Sequence, residues 1–262
     1  MKFIRAQVLY SAVGLALGLL CAPGARAASS SAADDNAEPR SGEYRLTLFP
    51  YHKVTDKLTG FGYLGYVSNP DKHYTTDYLG WGVNWSVKPH VQLWTGLFGT
   101  YTNNENSADK LELRPFFGAK FFVPNEIKWN VYNFTRVEFR EIQDRDTGDW
   151  TNHFRLRTRF GAEFPLAPLA TAWQPKTWYG LADVEPFYRF DKGIVDPVRL
   201  RVGAAYIVTN RVRVEFIYHM AWTRPSGSSG LQYTDNIYRL NIKIALNKGM
   251  LQRVFDGGVA DD

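Results

Sequence analysis

The chain has 262 residues, with 31 lysines and arginines against 26 aspartates and glutamates, 22 glycines, 15% aromatic residues and a single cysteine. One cysteine excludes an intrachain disulfide framework and a cysteine-built metal centre. Beyond residue 27 no stretch is apolar over the roughly 18 residues a membrane helix needs, so any passage through a membrane would have to be made by strands.

Met1 to Ala27 reads as a secretory signal, with Lys2 and Arg5 as the charged start, Val8 to Leu20 as the apolar run and Ala25-Arg26-Ala27 as the cleavage site. Leu20 stands before Cys21, where a lipoprotein signal carries a small residue, so Cys21 is not read as a lipid anchor. The mature chain is expected to begin at Ala28 and to lack thiol chemistry altogether. Loss of Lys2, Arg5 and Arg26 takes the basic residues from 31 to 28 against 26 acidic, so the net charge of +5 falls to +2 and gives no argument for nucleic acid as a partner. Residues 28–58 are expected to form a periplasmic linker. Ala28 to Gly42 is small, polar and turn-rich. Glu43 to Lys53 alternates weakly around Pro50 and fits a strand, a plug segment or a pairing extension.

From Thr59 to Asn247 the chain alternates with period two in stretch after stretch. The clearest is Asn152 to Phe164. Phe154, Leu156, Phe160, Ala162 and Phe164 share one parity, while Arg155, Arg157, Arg159, Gly161 and Glu163 share the other. A helix would smear both sets around its circumference. A strand puts one face in an apolar medium and gives the other to three adjacent arginines, as a transmembrane barrel strand does between lipid and lumen. The other stretches repeat the pattern: Leu79, Trp81, Val83 and Trp85 against Gly80, Gly82 and Asn84, or Tyr238, Leu240, Ile242 and Ile244 against Arg239, Asn241 and Lys243. Val91 to Thr102 is mixed on both faces.

The expected fold is an all-β, antiparallel up-and-down transmembrane barrel of about ten strands (10–12) over residues 59–247, with a tail over 248–262. An even count puts both ends on the periplasmic side. Short turns at 88–90, 124–128 and 209–210 alternate with longer loops at 103–109, 143–149 and 225–234, a rhythm that the connection 165–177 breaks. Trp85, Trp94, Trp129, Trp178, Trp222 and Tyr238 near strand ends suit interfacial girdles. Pro115 and Pro186 lie inside strands and predict a bulge or a missing ladder bond.

The face opposite the apolar one carries Arg114, Lys120, Arg136, Arg140, Arg155, Arg157, Arg159, Arg189, Arg199, Arg201, Arg213, Arg239 and Lys243, with Glu112, Glu138, Glu163, Asp183, Glu185 and Glu215. Arginine dominates this set, as expected where planar donors bridge carboxylates in a confined space, so these residues are expected to line the lumen. They either staple it as an ion-pair network or give an open, porin-like interior a preference for anions. A soluble periplasmic lipid-binding barrel, with the apolar face inward, is the alternative. A lipid-modifying hydrolase is a third reading. Its rim candidates are His219, Ser228 and Asp235, with Ser226 and Ser229 beside them. His52, His73, His90 and His153 lack metal-ligand spacing, and no phosphate loop or nucleotide fingerprint occurs, so no metal or cofactor is expected.

At the strings ADKLELRPFFGAKFFVPN, GLADVEPFYRFD, RVEFIYH and YTDNIYRLNIKIALN, the chain resembles the bacterial domain-of-unknown-function family 2490 over about Thr59 to Asn247. The resemblance implies a barrel in the outer membrane of a Gram-negative cell, in contact with outer-membrane lipid and lipopolysaccharide and inserted by the barrel-assembly machinery. It implies no activity and no catalytic residues.

Overall fold

A sheet whose two faces differ in polarity along its whole length hides its edges by closing on itself, and this chain does so. The computed structural model describes residues 41–225 and 230–247, none of them helical. The strands are β1 (Ser41–Lys53), β2 (Leu58–Asn69), β3 (Tyr74–Lys88), β4 (Val91–Asn104), β5 (Lys110–Val123), β6 (Asn130–Asp144), β7 (Trp150–Pro165), β8 (Trp178–Arg189), β9 (Ile194–Thr209), β10 (Val212–Thr223) and β11 (Gln232–Ala245). Each runs antiparallel to the one before it. The ring closes where β1 lies parallel to β11, with Arg45 opposite Arg239 and Thr47 opposite Asn241.

The strand count lies within the expected 10–12, and one expectation, that it is even, is corrected. Glu43 to Lys53, left open from sequence, is a strand, so the barrel starts at Ser41. The closed ring has an odd number of strands, and the extra one needs no missing partner because the seam is parallel. The two ends of the barrel chain therefore leave from opposite mouths. Ser41 starts at the upper mouth, which carries connections 70–73, 105–109, 145–149, 190–193 and 224–231. Asn247 follows β11 at the lower mouth, with connections 54–57, 89–90, 124–129, 166–177 and 210–211.

The long connection 166–177 folds back on the lower mouth. Its Trp173 lies 5.2 Å from the Tyr179 ring and donates from Nε1 to the Lys128 carbonyl at 2.8 Å. Trp173 thereby joins a buried cluster of Tyr179, Leu181, Ala205, Ile207 and Ile217 that floors this part of the barrel. The prolines disturb the ladder as their missing N–H requires. The β8–β9 register shifts between Pro186 and Tyr188, and the β5–β6 pairing is interrupted from Leu113 to Phe116, across Pro115.

Large apolar side chains point outward and are exposed, among them Leu79 (65%), Trp81 (63%), Phe117 (58%) and Phe216 (55%). Among the described strands the charged residues on the outward face are Asp77, Glu141 and Asp196, each within four residues of the upper end of its strand, and Lys88, which a bulge pairs with outward-facing Val91 at the lower end of β3. Trp85, Trp129 and Trp178 are also exposed near strand ends, whereas Tyr238, expected at a girdle, is exposed in the middle of β11. Trp94 is not a girdle residue. It points inward and packs 5.2 Å from Phe61 and 5.5 Å from Phe134.

Phe61 and Phe116 can lie flat against the inner wall because glycines face them. A Cβ on Gly82 would sit 2.5 Å from Phe61 Cζ and 2.4 Å from the Thr95 carbonyl oxygen, and one on Gly96 would sit 2.8 Å from Phe116 Cε1. Gly82→Val is therefore expected to destabilise the barrel by about 1–3 kcal/mol through overpacking. The temperature at which the folded band gives way to the unfolded band on a gel should drop. Gly99→Ala, whose Cβ meets nothing closer than 3.8 Å, should leave it unchanged.

Candidate functional site: the lumen

The inward arginines of β7 sit between acidic residues on both neighbouring strands. Register sets Arg155 beside Glu138 of β6, and β8 brings Asp183 and Glu185 to the other side. Glu138 is fully buried and accepts from Arg155 Nε at 2.9 Å, Arg157 Nη1 at 2.9 Å and Arg136 Nε at 2.8 Å. Arg157 Nη2 reaches across to both oxygens of Glu185 at 3.0 Å, and Arg159 Nη2 meets the same carboxylate at 2.9 Å. Arg201 forks onto Asp183, and Arg140 onto Glu112, which also accepts from Arg114. Charges removed from water at such cost persist only when paired and hydrogen-bonded, and planar guanidinium provides both at once. Beneath this network Phe187 offers its ring to Arg157, Arg199 and Arg155 at 4.4, 4.9 and 5.0 Å. Lower down, Glu215 accepts from Tyr179 at 2.8 Å and Asn241 at 2.9 Å and pairs with Lys243.

The network fills one side of the lumen and leaves a cavity of about 620 Å³ beside it. Its lining runs from Tyr74, Asn104 and Lys110 near the upper mouth to Phe122, Asn130 and Lys243 in the lower half. Thirteen lysines and arginines line it against six carboxylates, so its walls carry a net +7.

The residues expected from sequence to line the lumen do so, with three exceptions. Glu138 lies under its arginines. Arg189 turns to Asp191 at the upper mouth, with bonds of 3.2 and 2.7 Å, and this holds the Asp191 carboxyl below its usual value. Arg213 lies beside Tyr179 and Trp173, at 5.7 and 6.0 Å from their rings. The wall opposite the network was not read from sequence. It is aromatic, built by Phe49, Phe61, Tyr63, Tyr78, Trp94, Phe98 and Phe116 of β1 to β5. Phe98 stacks on Phe116 at 5.0 Å, and Tyr63 meets Phe98 edge-on at 5.2 Å. The inward glycines of β3 and β4 were the available signal, since an empty inner position needs a neighbour's ring to fill it.

Of the rim hydrolase candidates, the two that are described, His219 and Asp235, make no hydrogen bond to each other. His219 faces the lumen, 1% exposed, and neither ring nitrogen has a hydrogen-bond partner. Asp235 is engaged by Ser41, by Lys72 at 2.5 Å and by Thr234 at 2.9 Å. Ser226, Ser228 and Ser229 lie outside the described residues. Among the described residues no three histidines or carboxylates converge to hold a metal ion.

Removing the central carboxylate should strand three guanidiniums together. Glu138→Gln is expected to cost about 3–5 kcal/mol, read as a fall in thermal midpoint. Asp56→Asn, which breaks an exposed pair with Lys53, should cost no more than about 1 kcal/mol.

No curated protein matches the chain. The model of the family described as "Protein of unknown function (DUF2490)" matches residues 48–231, from within β1 to the connection before β11. With most of its length inside that match, the chain belongs to the DUF2490 family.

Proposed function

We propose that the protein is a non-enzymatic outer-membrane β-barrel, exported by the signal Met1 to Ala27, whose basic lumen forms a narrow, anion-preferring passage. The observation that carries this reading is the polarity of the closed sheet. Its outer face is apolar and free of charge away from the strand ends, while its arginines are enclosed. A soluble lipid-binding barrel would have the reverse, with Phe117 and Phe216 inside and Arg157 and Arg201 in water. Strands of 12 to 16 residues cover about 30–40 Å at a rise of about 3.3 Å and a tilt of about 40°. That matches a hydrocarbon core of about 30 Å. Outer-membrane lipid and lipopolysaccharide would then cover the exposed aromatics, and the barrel-assembly machinery would insert the sheet.

The net charge of the cavity walls supports anion preference, since an enclosed low-dielectric lumen concentrates counter-ions. A second reading rests on the ion pairs of Glu138, Glu185 and Asp183 and on the Trp173 floor. In that reading the lumen is stapled shut and the barrel is purely structural.

Two measurements test this. After carbonate washing the protein should remain in the outer-membrane pellet and migrate faster on unheated than on heated gels; recovery in the soluble periplasmic fraction would end the membrane reading. In planar bilayers it should give discrete conductance steps with a reversal potential on the anion side. The double variant Lys120→Glu, Arg199→Glu should move that potential toward cations. Silence in bilayers would leave the stapled barrel as the surviving reading.

A further inference from the structure

Most lumen cations have a carboxylate partner; among the described residues Lys110 near the upper mouth, Lys120 over the Phe122 and Tyr132 rings, Arg199 and Arg239 make no such ion pair, and the last two belong to one cluster. Among the described residues Arg199 makes no hydrogen bond or ion pair and lies over the Phe187 ring. Arg239 bonds to the neutral Asn241, and to the Tyr63 hydroxyl at 3.3 Å. Neither makes an ion pair with any described carboxylate. Arg45, which is paired with Glu43, stands opposite Arg239 across the parallel seam, and His219 lies next to Arg201 in register with both ring nitrogens unpartnered and almost no exposure. All four residues, Arg45, Arg199, Arg239 and His219, line the same cavity. A buried histidine with no partner, set among guanidiniums, is a group whose hydrogen-bonding capacity is meant for something else.

What lies across from this cluster decides the kind of anion. Arg239 is 5.7 Å from the Phe49 ring, and from there Tyr63, Phe98 and Phe116 continue as a face of contacting rings. A simple hydrated anion would use the guanidiniums and waste the rings. An apolar molecule would leave the unpaired cations uncompensated. A cavity of about 620 Å³ is within the usual range for a small-molecule site.

The geometry points to a binding site for an amphipathic anion, a carboxylate carried on a flat aromatic body. Its acid group sits among Arg45, Arg199, Arg239 and His219, and its body lies on the Tyr63–Phe98–Phe116 wall. This deepens the reading of the lumen as an anion passage and names the class of solute it prefers.

The test is calorimetric titration of the full-length refolded barrel in non-ionic detergent with 2-naphthoate, acetate and inorganic phosphate, with folding checked by the shift on unheated gels. Naphthoate is expected to bind saturably, one per chain, at least about tenfold more tightly than acetate or phosphate. Arg199→Gln with Arg239→Gln should weaken naphthoate at least about tenfold. Lys192→Gln, in the exposed connection 190–193 and outside the cavity lining, should not. Should the double variant fail to fold, Phe98→Leu gives the same decision: naphthoate affinity falls and acetate affinity stays. Equal affinity for naphthoate and acetate, or naphthoate binding indifferent to Arg199, Arg239 and Phe98, overturns the site. Anion-selective conductance without naphthoate binding would sink this site and leave the passage intact, whereas naphthoate binding in a barrel silent in bilayers would sink the passage alone.

Discussion

The interior of this barrel is governed by the cost of enclosing charge. A carboxylate such as Glu138, shut away from water, is tolerable only because three guanidiniums reach it, and one of them, Arg157, in turn bridges to Glu185 on β8, where Asp183 holds Arg201. The requirement propagates around the ring. Register between β6, β7 and β8 cannot slip by one residue without sending every arginine into the outer apolar face, so the ion pairs specify the alignment as much as they stabilise it. Arginine is suited to this duty because one planar group can serve two carboxylates, as Arg157 does.

The ring is divided in its chemistry. From β6 to β9 many inward positions are charged, whereas from β1 to β5 many are aromatic, with Gly80, Gly82 and Gly96 at inward positions of β3 and β4. Glycine lets a ring lie against the backbone of the next strand, so the aromatic wall is thin and the space saved remains as cavity. The Trp173 segment closes part of one end, so that cavity lies mainly between two unlike walls.

Much of this was legible in the amino-acid sequence, and the reasons for the rest are physical. Arg155, Arg157 and Arg159 share a parity opposite to Phe154, Leu156 and Phe160, and no other regular structure accommodates that; strand, face and charge follow together. Trp94 and Phe98 hid in β4 because both faces of that strand are apolar, one toward the aromatic wall and one outward. Alternation disappears when the two environments are alike. β1 was obscured by Pro50 on the outward parity and by Phe49 and Tyr51 on the inward one, which erased the contrast a strand with a charged lumen face would carry. The clustering of Arg45, Arg199, Arg239 and His219 comes from four strands, β1, β9, β11 and β10, and depends on the seam, which a local pattern cannot reveal.

The seam joins residues 194 apart, Ser41 and Asp235, so this contact forms only after the whole hairpin series exists. It is also the one junction where subtraction is neutral to direction. Without β1, strands β2 and β11 would meet antiparallel; without β11, so would β1 and β10. Loss of any interior strand would instead create a second parallel junction. The circumference of this barrel can thus be shortened by one strand at the seam and nowhere else without breaking the alternation of the ring.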